Sequence, residues 1–153
     1  MSPRSTTASG RARPRRCSRP SSPQGADPED GMDETVQVAV HLDEGDAARM
    51  RMALNNIANL CAHYAQAGQA VAVELVANGP GLALLRADLS PLPEKVAELA
   101  ADGVRFSACA NTLRGITRDE GAAPALLPAA QIVPSGVVRL IELQRAGWAY
   151  LRP

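Results

Sequence analysis

From residue 36 onward the spacing of apolar residues switches repeatedly between two periods. Val36, Val38, Val40 and Leu42 alternate with Gln37, Ala39 and His41. A period of two marks a strand, and this one is expected to be the first and central strand. His41, at its end, is expected to be solvated or hydrogen-bonded, since no second metal ligand stands nearby. Asp43-Glu44-Gly45-Asp46 is a turn whose last residue is placed to cap a helix. From Ala47 to about Ala67, Met50, Ala53, Leu54, Ile57, Leu60, Cys61 and Tyr64 fall on one helical stripe. Cys61 lies on that stripe and reads as buried and inert. The opposite face carries Asn55, Asn56 and Asn59, poor residues for a helix interior. They are read either as contacts to loops or a subunit, or as a solvated face. Gly68 ends the helix.

Ala70–Ala77 is almost wholly apolar, as in strands buried on both faces of a parallel sheet. Asn78-Gly79-Pro80-Gly81 follows as a turn that lets backbone approach a ligand or a neighbouring chain. It lacks the G-x-G-x-x-G dinucleotide pattern. A short apolar segment, Leu82–Arg86, and a loop lead to a helix over Glu94–Ala101, with Pro93 in its first turn. Val104–Ala108 is a third strand. Ala110–Leu113 is expected to form a helical turn, and Arg118–Pro128 a short helix plus loop. Gln131-Ile132-Val133 is a fourth strand. Ser135 caps a helix over Gly136–Arg145, whose buried side is expected to hold Val137, Val138, Leu140, Ile141 and Leu143. Trp148–Leu151 is a last strand, with Trp148 and Tyr150 read as edge packing or subunit contact. The order is β-α-β-α-β-α-β-α-β. With right-handed crossovers this predicts one parallel sheet with helices on both faces.

Cys109 falls where the third strand runs into a helix. Ligands and chemistry gather beyond the carboxyl ends of strands in such sheets. A helix start offers free N–H groups and the positive end of the macrodipole, which lowers a thiol's pKa and favours thiolate. Asn111 and Thr112 offer polar groups close by, and Arg114 a positive charge. Asn78, Gly79, Gly81 and Asn55 complete the candidate environment. The alternative for Cys109 is a small buried core residue, the commonest fate of a free cysteine. Arg114 has the alternative of pointing into water.

The chain has 153 residues, 46% hydrophobic but only 3% aromatic, so Ala, Val and Leu must fill the core. Residues 1–31 hold six arginines and three acids; taking these from the sixteen of each sign leaves ten basic and thirteen acidic residues, a net of −3. A mildly acidic domain is a poor nucleic-acid binder. Residues 1–34 are expected to be a disordered tail, rich in Ser, Pro, Gly and Arg, and 35–153 the folded domain. The tail is open to three readings: an organelle transit peptide, a basic arm, or sequence upstream of a true start at Met32. Cys17 lies in it and is given no role. Three cysteines without a C-x-x-C pair make neither a disulfide framework nor a closed zinc site. They suit a reducing cytosol. No apolar run is long enough for a membrane span. No metal and no cofactor is expected.

From about Thr35 to Pro153 the chain resembles the DsrE/DsrF-like family. The likeness rests on Val36–Leu42 with Asp43–Asp46, on Ala53-Leu54-Asn55-Asn56 with Asn59-Leu60, and on Glu74–Gly81. It continues through Gly103–Leu113, Val133–Val138 and Gly147–Tyr150. The resemblance implies a three-layer α/β/α fold with a mostly parallel five-stranded sheet. It also implies a homo-oligomer and a cytoplasmic role in sulfur trafficking. In the sulfur-relay branch, a cysteine after the third strand carries a persulfide and passes it to a partner. Cys109 matches that position, although the overall match is to a stand-alone branch. The function expected is therefore a persulfide carrier with sulfur donor and acceptor partners, bound to neither nucleic acid nor membrane. The alternative is a non-catalytic oligomeric binding or regulatory module. A nucleotide or flavin binder rests on fold analogy alone.

Overall fold

A computed structural model describes residues 34–153. The expectations for the tail, for Met32 and for Cys17 lie outside the described residues. Five strands and four α-helices alternate: β1 (Val36–Leu42), α1 (Ala47–Gln66), β2 (Val71–Ala77), α2 (Pro93–Ala101), β3 (Arg105–Cys109), α3 (Ala110–Glu120), β4 (Ala130–Val133), α4 (Gly136–Arg145) and β5 (Ala149–Leu151). A 3₁₀ helix, Gly79–Leu85, stands between β2 and α2. Three layers result, as expected.

The strand order is β4-β3-β2-β1-β5, with every neighbouring pair parallel. The centre is thus β2 and not β1. All seven residues of β2 are buried, whereas β1 lies beside the short, exposed β5. The chain steps from β1 to β4 in one direction, then returns across the whole sheet to β5. Parallel crossovers are right-handed, so the reversal puts α4 on the opposite face from the earlier helices.

The two faces differ accordingly. One buries Val38, Val40, Leu42, Val73, Leu75 and Phe106 under α1, α2 and the 3₁₀ helix, with Leu113 and Ile116 of α3 packed alongside. The other has a smaller cluster: Ala39, Ala72 and Val76 of the sheet against Leu140, Leu143 and Trp148. Only Gly136, Leu140 and Leu143 of α4 are buried. Val137, Val138 and Ile141, expected inside, are each at least half exposed. Nothing in the described chain lies beyond α4 on this face, so its outer side meets no second layer.

Two further expectations change. Gly79–Leu85 is one 3₁₀-helical segment rather than a turn followed by a separate apolar segment, and Leu82, Leu84 and Leu85 are all fully buried. Helix α3 runs unbroken from Ala110 through Gly115 to Glu120, instead of ending at Leu113. An interior glycine costs a helix about 1 kcal/mol. The packing of Leu113 and Ile116 on the core offsets that cost, and Gly121 (φ +81°) provides the left-handed stop.

Candidate functional site

Residues 105, 107 and 109 of β3 face α4, by strand alternation from the core residues Phe106 and Ala108. Cys109 pairs in register with Val133, the last residue of β4. Helix α3 leaves β3 toward the larger core, and α4 leaves β4 toward the other face. These two strands are therefore the switch point of the sheet, where a crevice forms at the carboxyl edge. The starts of both helices converge there on one sulfur.

The close approach depends on Gly136, the first residue of α4. A Cβ at that position would stand 3.1 Å from Cβ of Asn78, 3.3 Å from Cβ of Cys109 and 3.4 Å from Cγ1 of Val76. The first two gaps are tighter than ordinary carbon contacts. Ser135 caps the same helix by accepting from the Val138 N–H. It is the cap that the sequence predicts.

Cys109 is the N-cap residue of α3, yet its side chain makes no conventional cap hydrogen bond. The sulfur instead stands among several donors. Burial pushes its pKa up. The backbone N–H groups of Gly136, Thr112 and Asn111, together with the Thr112 hydroxyl, pull it down, and the net shift is downward. These donors favour the anion over the neutral thiol. A second hydrogen bond fixes the Thr112 side chain. Its Oγ1 accepts the Gly79 N–H at 2.9 Å, which leaves its own hydrogen for the sulfur. Gly79 itself has φ +54°, a conformation suited to glycine. Gly81 lies flat against the backbone of Leu42, with the Leu42 carbonyl where a Cβ would project. The sequence-predicted Asn78, Gly79, Thr112 and Asn111 thus come together around Cys109. Only 4% of Cys109 is exposed.

Three candidates fall elsewhere, Gly81 against the Leu42 backbone among them. The Arg114 guanidinium bonds to Asn111 Oδ1 on the exposed side of α3, and the lowered pKa of Cys109 is due to N–H and O–H donors. Asn55 is exposed on α1, across the sheet from the sulfur. His41 is hydrogen-bonded, one of its two expected states: Nδ1 lies 2.7 Å from the Tyr150 hydroxyl and Nε2 lies 2.9 Å from Asn78 Oδ1. Cys61 is half-buried against the larger core.

Sequence reasoning assigned no role to Glu74, which is wholly buried in the middle of β2. Its carboxylate takes two bonds from Arg139 of α4, at 2.8 and 2.7 Å, and one from the Ser107 hydroxyl at 2.7 Å. Arg105 lies 3.7 Å away. This cluster floors a cleft of about 290 Å³ beside α4. The available signal was a lone acid within Val-Ala-Val-Glu-Leu-Val-Ala. A charge there needs a partner.

The class that these features define is a small, all-parallel α/β/α protein with a hydrogen-bonded cysteine at the switch point of its sheet. The chain belongs to the DsrE/DsrF-like family, whose model matches residues 37–153. It is similar to the solved structure of MTH1491, a protein of unknown function from Methanobacterium thermoautotrophicum. The two share 39% sequence identity with a TM-score of 0.68, over 77% of this chain and 99% of that one. The comparison with curated proteins gives no match. No helix among the described residues is long and apolar enough to cross a membrane.

Proposed function

We propose that this protein carries sulfane sulfur on Cys109. The observation that bears the reading is the convergence of two helix starts and the Thr112 hydroxyl on one sulfur, which lowers its pKa. In loading, the Cys109 thiolate attacks the outer sulfur of a donor persulfide, R–S–SH. A Cys109 Sγ–S bond forms, the donor S–S bond breaks, and the donor leaves as RS⁻. In unloading, an acceptor thiolate attacks the outer sulfur and Cys109 leaves as thiolate, stabilised by the same donors. No net oxidation occurs in either step. The chemistry calls for a reducing compartment, and we place the protein in the cytoplasm on that ground.

Incubation with a low-molecular-weight persulfide, followed by mass mapping, is expected to add one sulfur to the peptide containing Cys109. The adduct should disappear on addition of a thiol and be absent from Cys109→Ser. A Cys109 peptide that stays unmodified while the donor persulfide remains intact overturns the reading.

A second reading, a non-catalytic homo-oligomeric module, draws on the outward apolar face of α4: Val137, Val138 and Ile141. It predicts concentration-dependent self-association that Ile141→Glu abolishes, together with a Cys109→Ser variant fully active in cells.

A further inference from the structure

The hydrogen bonds from Tyr150 to His41 and from His41 to Asn78 run from β5 across β1 to the end of β2, the strand beside β3, and the lowered thiol pKa does not require them. Because Asn78 Oδ1 is an acceptor, His41 Nε2 must carry a hydrogen. In the neutral ring, Nδ1 then accepts from the Tyr150 hydroxyl. The three side chains form one directed chain from the exposed β5 edge to the carboxyl end of β2. With its oxygen committed to His41, the Asn78 carboxamide has only N–H donors to offer at its other end.

Asn78 is a close neighbour of the candidate site. The Cβ atoms of Asn78 and Cys109 both lie within 3.3 Å of the point where a Gly136 Cβ would stand. The donors to the resting sulfur come from α3 and α4. A carried sulfur sits about 2 Å farther out than Sγ, beyond that set, where an anionic outer sulfur needs donors of its own.

The geometry points to Asn78 as the residue that holds the outer sulfur of loaded Cys109. His41 and Tyr150 act as positioning residues that aim its amide. This rests on the sulfur-carrying reading and adds to it a binding place for the cargo. The amide N–H groups donate to the terminal sulfur of Cys109–S–S⁻ and slow its loss to a passing thiol. Retention is thereby controlled separately from ionisation of the thiol.

The test uses the full chain loaded with a low-molecular-weight persulfide, in wild type and in Asn78→Leu, His41→Phe and Tyr150→Phe. Two rates are measured: release of the outer sulfur to dithiothreitol, and alkylation of the unloaded Cys109 against pH. Asn78→Leu and His41→Phe are expected to release sulfur about tenfold faster, the effect of one lost hydrogen bond to a charged group. Tyr150→Phe, which removes a single exposed hydroxyl, should show a smaller increase. The alkylation midpoint stays at the wild-type value in all three, which a merely structural role would not produce. The double variant His41→Phe/Asn78→Leu releases no faster than Asn78→Leu alone. Wild-type release rates in the variants overturn this inference and leave the carrier reading standing. Failure of wild type to load overturns both. A shifted alkylation midpoint assigns the chain to thiol ionisation and also overturns the inference.

Discussion

The two faces of the sheet divide the work of the molecule. On one, Val, Leu and Phe side chains lie under three helices and a 3₁₀ segment, and charge is kept to the rim. There Arg86, almost buried, joins Asp88 and Glu120 and ties the end of the 3₁₀ helix to the end of α3. On the other, alanines and valines meet a single helix, a buried carboxylate is bound by arginine and serine, and the hydrogen-bonded sulfur of Cys109 lies at the edge. The difference follows from topology. Three successive crossovers in one direction build a thick layer, and one return crossover builds a thin one. Apolar burial on the first face supplies stability, and the sparse cover of the second leaves room for polar groups.

Substitutions should separate these roles. The largest loss is expected on the thick side: Phe106→Ala, in a wholly buried site, should lower unfolding free energy in urea by about 4 kcal/mol. Next comes Arg139→Met, which leaves the Glu74 carboxylate short of its main partner and should cost about 3 kcal/mol. Adding Glu74→Leu to that variant should recover most of the loss. A double variant no more stable than the single one would mean that the pair does more than compensate its own charges. Gly136→Ala should cost about 2 kcal/mol by overpacking. It should also raise the pH at which Cys109 becomes reactive, because α4 is pushed off the sulfur. Phe106→Ala, measured where it is still folded, should leave that pH unchanged.

The smallest expected effect on stability is that of Thr112→Val. Its signature is reactivity: alkylation of Cys109 in wild type should reach half its maximum rate at a lower pH than an ordinary cysteine, and Thr112→Val should move that midpoint upward. The sign follows from the donors. Each stabilises thiolate, so removing one means a higher pH is needed to reach the same thiolate fraction. A midpoint unaffected by both Thr112→Val and Gly136→Ala would erase the distinction between the faces.

Local signals carried most of the fold. The alternation in Val36–Leu42, the stripe from Met50 to Tyr64 and the caps Asp46 and Ser135 are each specified by neighbouring residues, and they hold. Strand order is not local. Both β1 and β2 read as buried strands, and which is central depends on where the last crossover lands. The same holds for α4: Val137, Val138 and Ile141 have the spacing of a buried side, but whether a face is covered depends on the rest of the chain. Around the sulfur, Thr112 and Asn111 were legible because they follow Cys109 directly. Gly136 and Glu74 were not, because their partners lie on other strands and helices. Arg114 illustrates the converse. It is close in sequence, yet the turn of α3 carries it away to Asn111.

Gly136 reaches the sulfur only after β4 has been laid beside β3 and the chain has turned back over the sheet. During synthesis, Cys109 therefore leaves the ribosome as an ordinary thiol, with one helix start beside it at most. It acquires its full set of donors when the final third of the polypeptide closes over it, so a truncated or misassembled copy would be chemically muted.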